Sequence, residues 1–168
     1  MSTVNFVETA IYSVVNGLAL LYNYKSVSRG ASRDTYNYQG DISMKLVIDA
    51  YGGDNCPSAA VEGVVMAMKN HPNAEFILTG DEHELDKELS KHVDLDRSHI
   101  TIVHAPEVIT CEEQPTVAVK RKKNSSLVAA MDIMARHEAD CLVSAGSTGA
   151  VLTGATLIVR RIPGVKRP

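Results

Sequence analysis

The sequence has little that points toward metal, disulfide or nucleic-acid chemistry. Its three cysteines, Cys56, Cys111 and Cys141, leave an odd count and form no CxxC pair. That pattern fits a reduced, cytoplasmic protein better than a disulfide framework, and the three read as small packing residues. The six histidines form no HExxH, and none stands at zinc-finger spacing from a cysteine, so no metal is expected. Acidic residues outnumber basic ones 20 to 17, for a net charge of -3. This leaves no extended basic footprint for nucleic acid, although it permits a small basic pocket. Long apolar runs are missing too. Residues 6–22 are moderately apolar, but they open without a basic stretch and are interrupted by Glu8 and Asn16. They fit neither a signal peptide nor the ~20 apolar residues of a spanning helix. There is no internal repeat, no low-complexity tract, no Walker loop and no GxGxxG.

What remains is ordinary globular composition, 45% hydrophobic and 22% charged over 168 residues. The chain changes character at Met44. Residues 22–43 alternate Tyr, Ser, Asn, Arg and Gly without helix or strand period, which is the pattern of disorder. Residues 1–43 therefore read as an extension upstream of a natural start at Met44. The alternative is a helix over residues 8–22 docking on the fold. Residues 44–168 form the domain proper, and the chain stops after Lys166-Arg167-Pro168 without a polar tail, which reads as an interruption.

From Met44 the periodicity is regular. Lys45–Asp49 is a short buried strand running into Gly52-Gly53-Asp54-Asn55. Pro57 suits a first helical position, and Val61, Val64, Val65 and Met68 follow at helical spacing until His71-Pro72-Asn73. Residues 75–79 give a second strand closed by Gly80. Asp81 can cap a charged helix running to about His92. A third strand, 100–104, precedes a helix opened by Pro115 over 116–123 and another over 127–137 capped by Ser125 or Ser126. A fourth strand, 141–144, a turn at 146–149 and a helix over 151–161 complete the order. Short apolar strands alternating with amphipathic helices predict an α/β fold, a doubly wound, mostly parallel sheet covered on both faces.

Ligands of such sheets sit beyond the carboxyl ends of the strands, and two of those ends are unusual. The first is Asp49 to Asn55, where Gly52 and Gly53 permit a sharp turn or close approach of backbone to a ligand, and where Asp49 and Asp54 bring carboxylates. A plain turn with a helix cap explains it equally well. The second is Ser144-Ala145-Gly146-Ser147-Thr148-Gly149-Ala150, which leaves amides at a helix amino terminus where an oxyanion is well received. Ser144, Ser147 and Thr148 add hydroxyl donors there. Small residues in such a turn also serve close helix-to-sheet packing. The basic run Lys120 to Lys123 beside Ser125 and Ser126 is either a solvated helix face or a source of one or two cations for an anionic ligand. His104, at a strand end, reads as a hydrogen-bonded structural histidine.

These pieces occur together in a known order. Met44-Lys-Leu-Val-Ile-Asp-Ala-Tyr-Gly-Gly-Asp-Asn-Cys-Pro resembles the opening of the phosphate acyltransferase family of phospholipid synthesis. So do Leu78-Thr-Gly-Asp, Ile102-Val-His-Ala, Val119-Lys-Arg-Lys-Lys-Asn-Ser-Ser and Val143-Ser-Ala-Gly-Ser-Thr-Gly-Ala. Tyr51 stands where the family commonly has Met, Ser147 where Asn is frequent, and Cys56 where Ala is usual. Family members are about twice the length of this segment. The resemblance implies a fold similar to isopropylmalate dehydrogenase and phosphotransacetylase, here truncated. It also implies transfer of a long-chain acyl group from acyl carrier protein to inorganic phosphate, without metal or organic cofactor. Family members resemble homodimers that associate peripherally with membrane. On this chain the phosphate or oxyanion would be held by Ser144, Gly146, Ser147, Thr148 and Gly149. Gly52, Gly53 and Asp54 would shape the same cleft, with Lys122 and Lys123 as weaker contributors of charge. The isolated chain is expected to be inactive, since a half-sheet exposes apolar surface meant for its second half. Rival readings are a phosphate- or nucleotide-binding module without acyl transfer, and an inactive gene fragment.

Overall fold

Four short apolar segments pair side by side in one parallel sheet: β1 (Lys45–Asp49), β2 (Glu75–Gly80), β3 (Ile100–His104) and β4 (Cys141–Val143), in the order β3-β2-β1-β4. The computed structural model describes residues 44–161. The expectations about residues 1–43, including the alternative helix over 8–22, and about the last three residues lie outside the described residues.

The register explains why the middles of the strands are apolar. Leu46 pairs with Phe76 and Phe76 with Ile100, while Ile48 pairs with Leu78 and Leu78 with Ile102. This face, with Val143, is covered by α1 (Ser58–Asn70) through Ala60, Val61, Val64 and Val65, and by α2 (Glu82–Leu89) through Leu85 and Leu89. The alternate residues Val47, Ile77, Val103 and Leu142 face the other way, onto Ala130, Ile133 and Met134 of α4 (Ser126–Ala135). β1 and β2 are buried on both faces and so do not alternate with polar residues, whereas the edge strand β3 exposes Thr101 and His104. Cys141 packs half-buried against the first face, its thiol pushed up to about 12 by burial. That suits a packing residue rather than a nucleophile.

Capping fixes most helix starts. The Asp81 carboxylate accepts from the Glu84 amide at 3.1 Å, and the Ser125 hydroxyl accepts from the Val128 amide at 3.4 Å. α3 (Pro115–Arg121) begins on its proline. α1 begins at Ser58, one residue later than the sequence suggests, because Pro57 is the half-in residue whose carbonyl accepts from Val61. The last helix departs further from expectation. α5 (Thr148–Gly154) starts three residues early, with Ser147 as its cap, and continues as a π-helical segment, Ala155–Val159. Leu152 (52%), Leu157 (48%) and Val159 (38%) on it are exposed.

Candidate functional site

The chain winds in one direction through α1 and α2 on one face, then returns through α3 and α4 to reach β4 on the far side of β1. Strand order therefore reverses between β1 and β4, and the crevice beyond the strand ends at such a switch point is where ligands of these sheets bind. The loops concerned are the two singled out in the sequence, one after Asp49 and one after Val143.

A half-buried tether joins them. The Ser144 hydroxyl donates to Asp49 Oδ2 at 2.7 Å and accepts from the Gly146 amide at 3.2 Å. Gly52 lies directly over this pair. A Cβ there would stand 2.7 Å from Asp49 Oδ2, 2.8 Å from Ser144 Oγ and 2.9 Å from the Gly146 nitrogen. A Cβ on Gly146 would in turn meet the Gly52 Cα at 3.2 Å. Close approach of two backbones is thus what both glycines supply. Gly53 is required for a different reason, since its φ of +112° is one that L side chains rarely adopt.

Asp49 is 4% exposed, and its Oδ1 has no hydrogen-bond partner of good geometry. Burial pushes its pKa above the ordinary aspartate value, opposed by the hydroxyls of Ser126 and Ser144 and by the amides of Tyr51 and Gly52. Folding therefore favours the protonated carboxyl. Stability linked to Asp49 falls as pH rises from its unfolded toward its folded pKa.

The remaining sequence-predicted residues divide. Ser147 caps α5, accepting from the Ala150 amide at 3.4 Å, and Thr148 is exposed on the first turn. The amides of Thr148 and Gly149 precede the helical ladder and have no partner within it. Gly149 serves packing on its other side, because a Cβ there would meet Pro115 Cγ at 2.8 Å. Asp54 is exposed on its turn, apart from the buried Asp49.

Lys122 does not reach the crevice as a free cation. Its ammonium donates to the Val108 carbonyl at 2.6 Å and to Glu113 Oε2 at 2.7 Å, strapping the loop between β3 and α3. Lys123 is exposed on the α3–α4 connection. Ser125 and Ser126 are buried, and the Ser126 amide donates to the Glu107 carbonyl at 3.1 Å. The amino terminus of α4 is thereby plugged by the loop rather than opened to a ligand.

The strap has a titration signature. The Lys122 hydrogen bond, helped by the Thr110 amide, holds the Glu113 carboxyl below its ordinary value. Its contribution to stability is present above the unfolded pKa and is lost as pH falls through the folded one. Lys122→Ala is expected to return Glu113 toward the ordinary glutamate range, read by carboxyl carbon NMR over a pH series. An unmoved Glu113 titration would show the strap to be absent in solution.

Sequence reasoning missed Ser126 beneath Asp49 and the role of Tyr51. The Tyr51 ring covers the end of β2, where a Cβ on Gly80 would stand 2.5 Å from its edge, and its hydroxyl donates to Glu84 Oε2 at 3.2 Å. A signal for the Asp49 cluster was present, because a carboxylate closing an otherwise apolar buried strand needs hydroxyl or amide partners. His104 is held as expected, with Nδ1 accepting from the Glu82 amide at 3.2 Å.

A cavity of about 690 Å³ lies elsewhere, between the carboxyl end of α1 and the segment after α2, lined by Val65, Met68, Lys69, Val93, Leu95 and His99 among others. It holds neither glycine turn and no buried carboxylate. The buried carboxylate and the two glycine turns favour the switch point instead. Among the described residues no three His, Cys, Asp or Glu side chains gather as a metal-binding group, and no helix is long and apolar enough to cross a membrane.

The family model described as "Fatty acid synthesis protein" matches residues 44–168. The "Phosphate acyltransferase" of Clostridium botulinum (strain Alaska E43 / Type E3) is 50% identical over 125 residues, which are 74% of this chain and 37% of that protein. The proteins of the same name from Clostridium novyi (strain NT) and Clostridioides difficile (strain 630) are 46% and 45% identical over 125 residues, covering 74% of this chain and 37% and 36% of theirs. The chain spans little more than a third of these relatives, less than the half expected from sequence.

Proposed function

We propose that this chain, which belongs to the fatty acid synthesis protein family, is the phosphate-binding amino-terminal part of an enzyme that moves a long-chain acyl group from acyl carrier protein to inorganic phosphate. The observation that carries the reading is the meeting of the Gly52–Gly53 turn and the turn from Ser144 to Gly149 at the switch point. The second turn brings the Thr148 and Gly149 amides and the Ser147 and Thr148 hydroxyls to the start of α5. The names of the relatives support the acyl-transfer half of the reading.

In this reaction a phosphate oxygen attacks the thioester carbonyl. The new bond joins that oxygen to the acyl carbon, the carbon–sulfur bond breaks, and the carrier thiolate takes up a proton. Much of the barrier reduction comes from holding the nucleophile in place and from donors aimed at the developing oxyanion. In this chain the Thr148 and Gly149 amides and the Ser147 and Thr148 hydroxyls would hold phosphate. Gly52 and Gly53 keep the opposite wall at backbone height. Asp54 stands at the rim of that wall. Lys122 acts by bracing the neighbouring loop, and Lys123 contributes only long-range charge. Dimerisation of the complete enzyme, cytoplasmic location and peripheral membrane association belong to the same proposal. No nucleic-acid partner is part of it.

The test is a chimera in which residues 44–168 replace the 125 matched residues of the Clostridium botulinum relative. It is expected to release free acyl carrier protein only when phosphate is present. A chimera that melts like its parent but leaves the thioester intact would overturn the assignment.

A further inference from the structure

We propose that Asp49 is a proton-coupled positioning residue: it holds Ser144, and through it the Gly146 turn, and takes up a proton from solvent when phosphate binds at that turn. The inference rests on the reading of the switch-point crevice as a phosphate site.

The geometry places the carboxyl at the root of the crevice. Gly146 N–H donates to Ser144 Oγ at 3.2 Å, and Ser144 O–H donates to Asp49 Oδ2 at 2.7 Å. An anion on the turn is therefore joined to Asp49 through two hydrogen bonds and a short stretch of backbone. The carboxyl is 4% exposed, so water screens it little.

The groups facing it are mostly uncharged donors. α4 contributes the Ser126 hydroxyl, the β4 loop contributes Ser144, and its own turn contributes the amides of Tyr51 and Gly52. From β2, the Thr79 hydroxyl is committed to the Ile48 carbonyl at 3.1 Å. The nearby titratable groups are the Cys56 thiol, raised mainly by burial and also by Asp49 and Asp54, and the Tyr51 phenol, raised by burial and by Glu84 and Asp81. Every charge named is negative. Burial already favours the neutral carboxyl, and a bound phosphate dianion adds a further negative charge beside it. Proton uptake by Asp49 removes one side of that repulsion. A protonated carboxyl still accepts from Ser144, so the turn keeps its shape.

The experiment is calorimetric titration of the full 168-residue chain with inorganic phosphate over a pH series. Buffers of different ionisation heat count the protons taken up. Asp49→Asn, which keeps an acceptor for Ser144 but cannot titrate, is measured beside it, with a thermal melt to establish that it folds. The expected result is a phosphate affinity that falls about tenfold more per pH unit in the wild type than in the variant once Asp49 ionises. The difference between the two proteins removes the titration of phosphate itself. Equal pH slopes in two folded proteins that both bind phosphate would overturn the proton coupling and leave the site reading standing. If the variant does not fold, wild-type binding without net proton uptake, at a pH where free phosphate is already dianionic, overturns it alone. Absence of phosphate binding by the wild type would overturn the site reading and this inference with it.

Discussion

Gly52→Val is expected to destabilise the fold by about 3 kcal/mol, the upper end of overpacking costs, and to abolish phosphate-dependent acyl release in the chimera. The added Cβ would fall 2.7 to 2.9 Å from Asp49 Oδ2, Ser144 Oγ and the Gly146 nitrogen. None of the three can yield easily. The carboxyl is fixed at the end of the central strand, Ser144 is bound to it, and the Gly146 nitrogen is backbone. Relief must come from separating the two loops, which breaks the Ser144–Asp49 hydrogen bond and leaves the buried carboxyl with one partner fewer. A urea melt reads the first effect and thioester release reads the second. A valine variant as stable and active as its parent would show that the loops do not meet as described.

Phe76→Ala is expected to cost about 3–5 kcal/mol, the usual range for a large aromatic removed from a core. Phe76 is 1% exposed and sits in β2 between Leu46 and Ile100, beneath the apolar stripe of α1. Total stabilities of small domains lie at about 5–15 kcal/mol, so this single change would remove a large share. The transition midpoint in urea should fall steeply with the slope unchanged. A loss within about 0.5 kcal/mol, the scale of a surface change, would contradict the packing of α1 on this face.

Much of this architecture is legible in the chain because it rests on local rules. β1 and β2 have apolar centres because both their faces are covered, so Leu46–Ile48 and Phe76–Leu78 stand out as short apolar runs between turn residues. Asp81 and Ser125 announce helices by their own side chains. The start of α5 is harder to read, since Ser144, Ser147 and Thr148 can all cap, and only the packed structure shows Ser147 doing so.

The site is less legible than the fold. That two glycine-bearing turns matter follows from their place after strands. That they touch depends on β4 lying beside β1, which no local pattern encodes. Lys122 shows the same limit from the other side. A basic run beside serines suggests an anion site, yet Glu113, nine residues earlier, and the Val108 carbonyl occupy its ammonium. Gly149 carries a packing constraint from Pro115 that spacing cannot show. Ser126 beneath Asp49 depends on how α4 crosses the sheet, and only the tertiary fold brings that pair together.

The central claim is that phosphate is held where the β1 and β4 loops meet. The most direct measurement is a crystal structure of the chimera with inorganic phosphate and no acyl donor. The predicted position is at the first turn of α5, against Ser147, Thr148 and the Gly149 amide, with Gly52 and Gly53 forming the facing wall. Phosphate found instead in the cavity beside Lys69 and His99, with none at the first turn of α5, would contradict it.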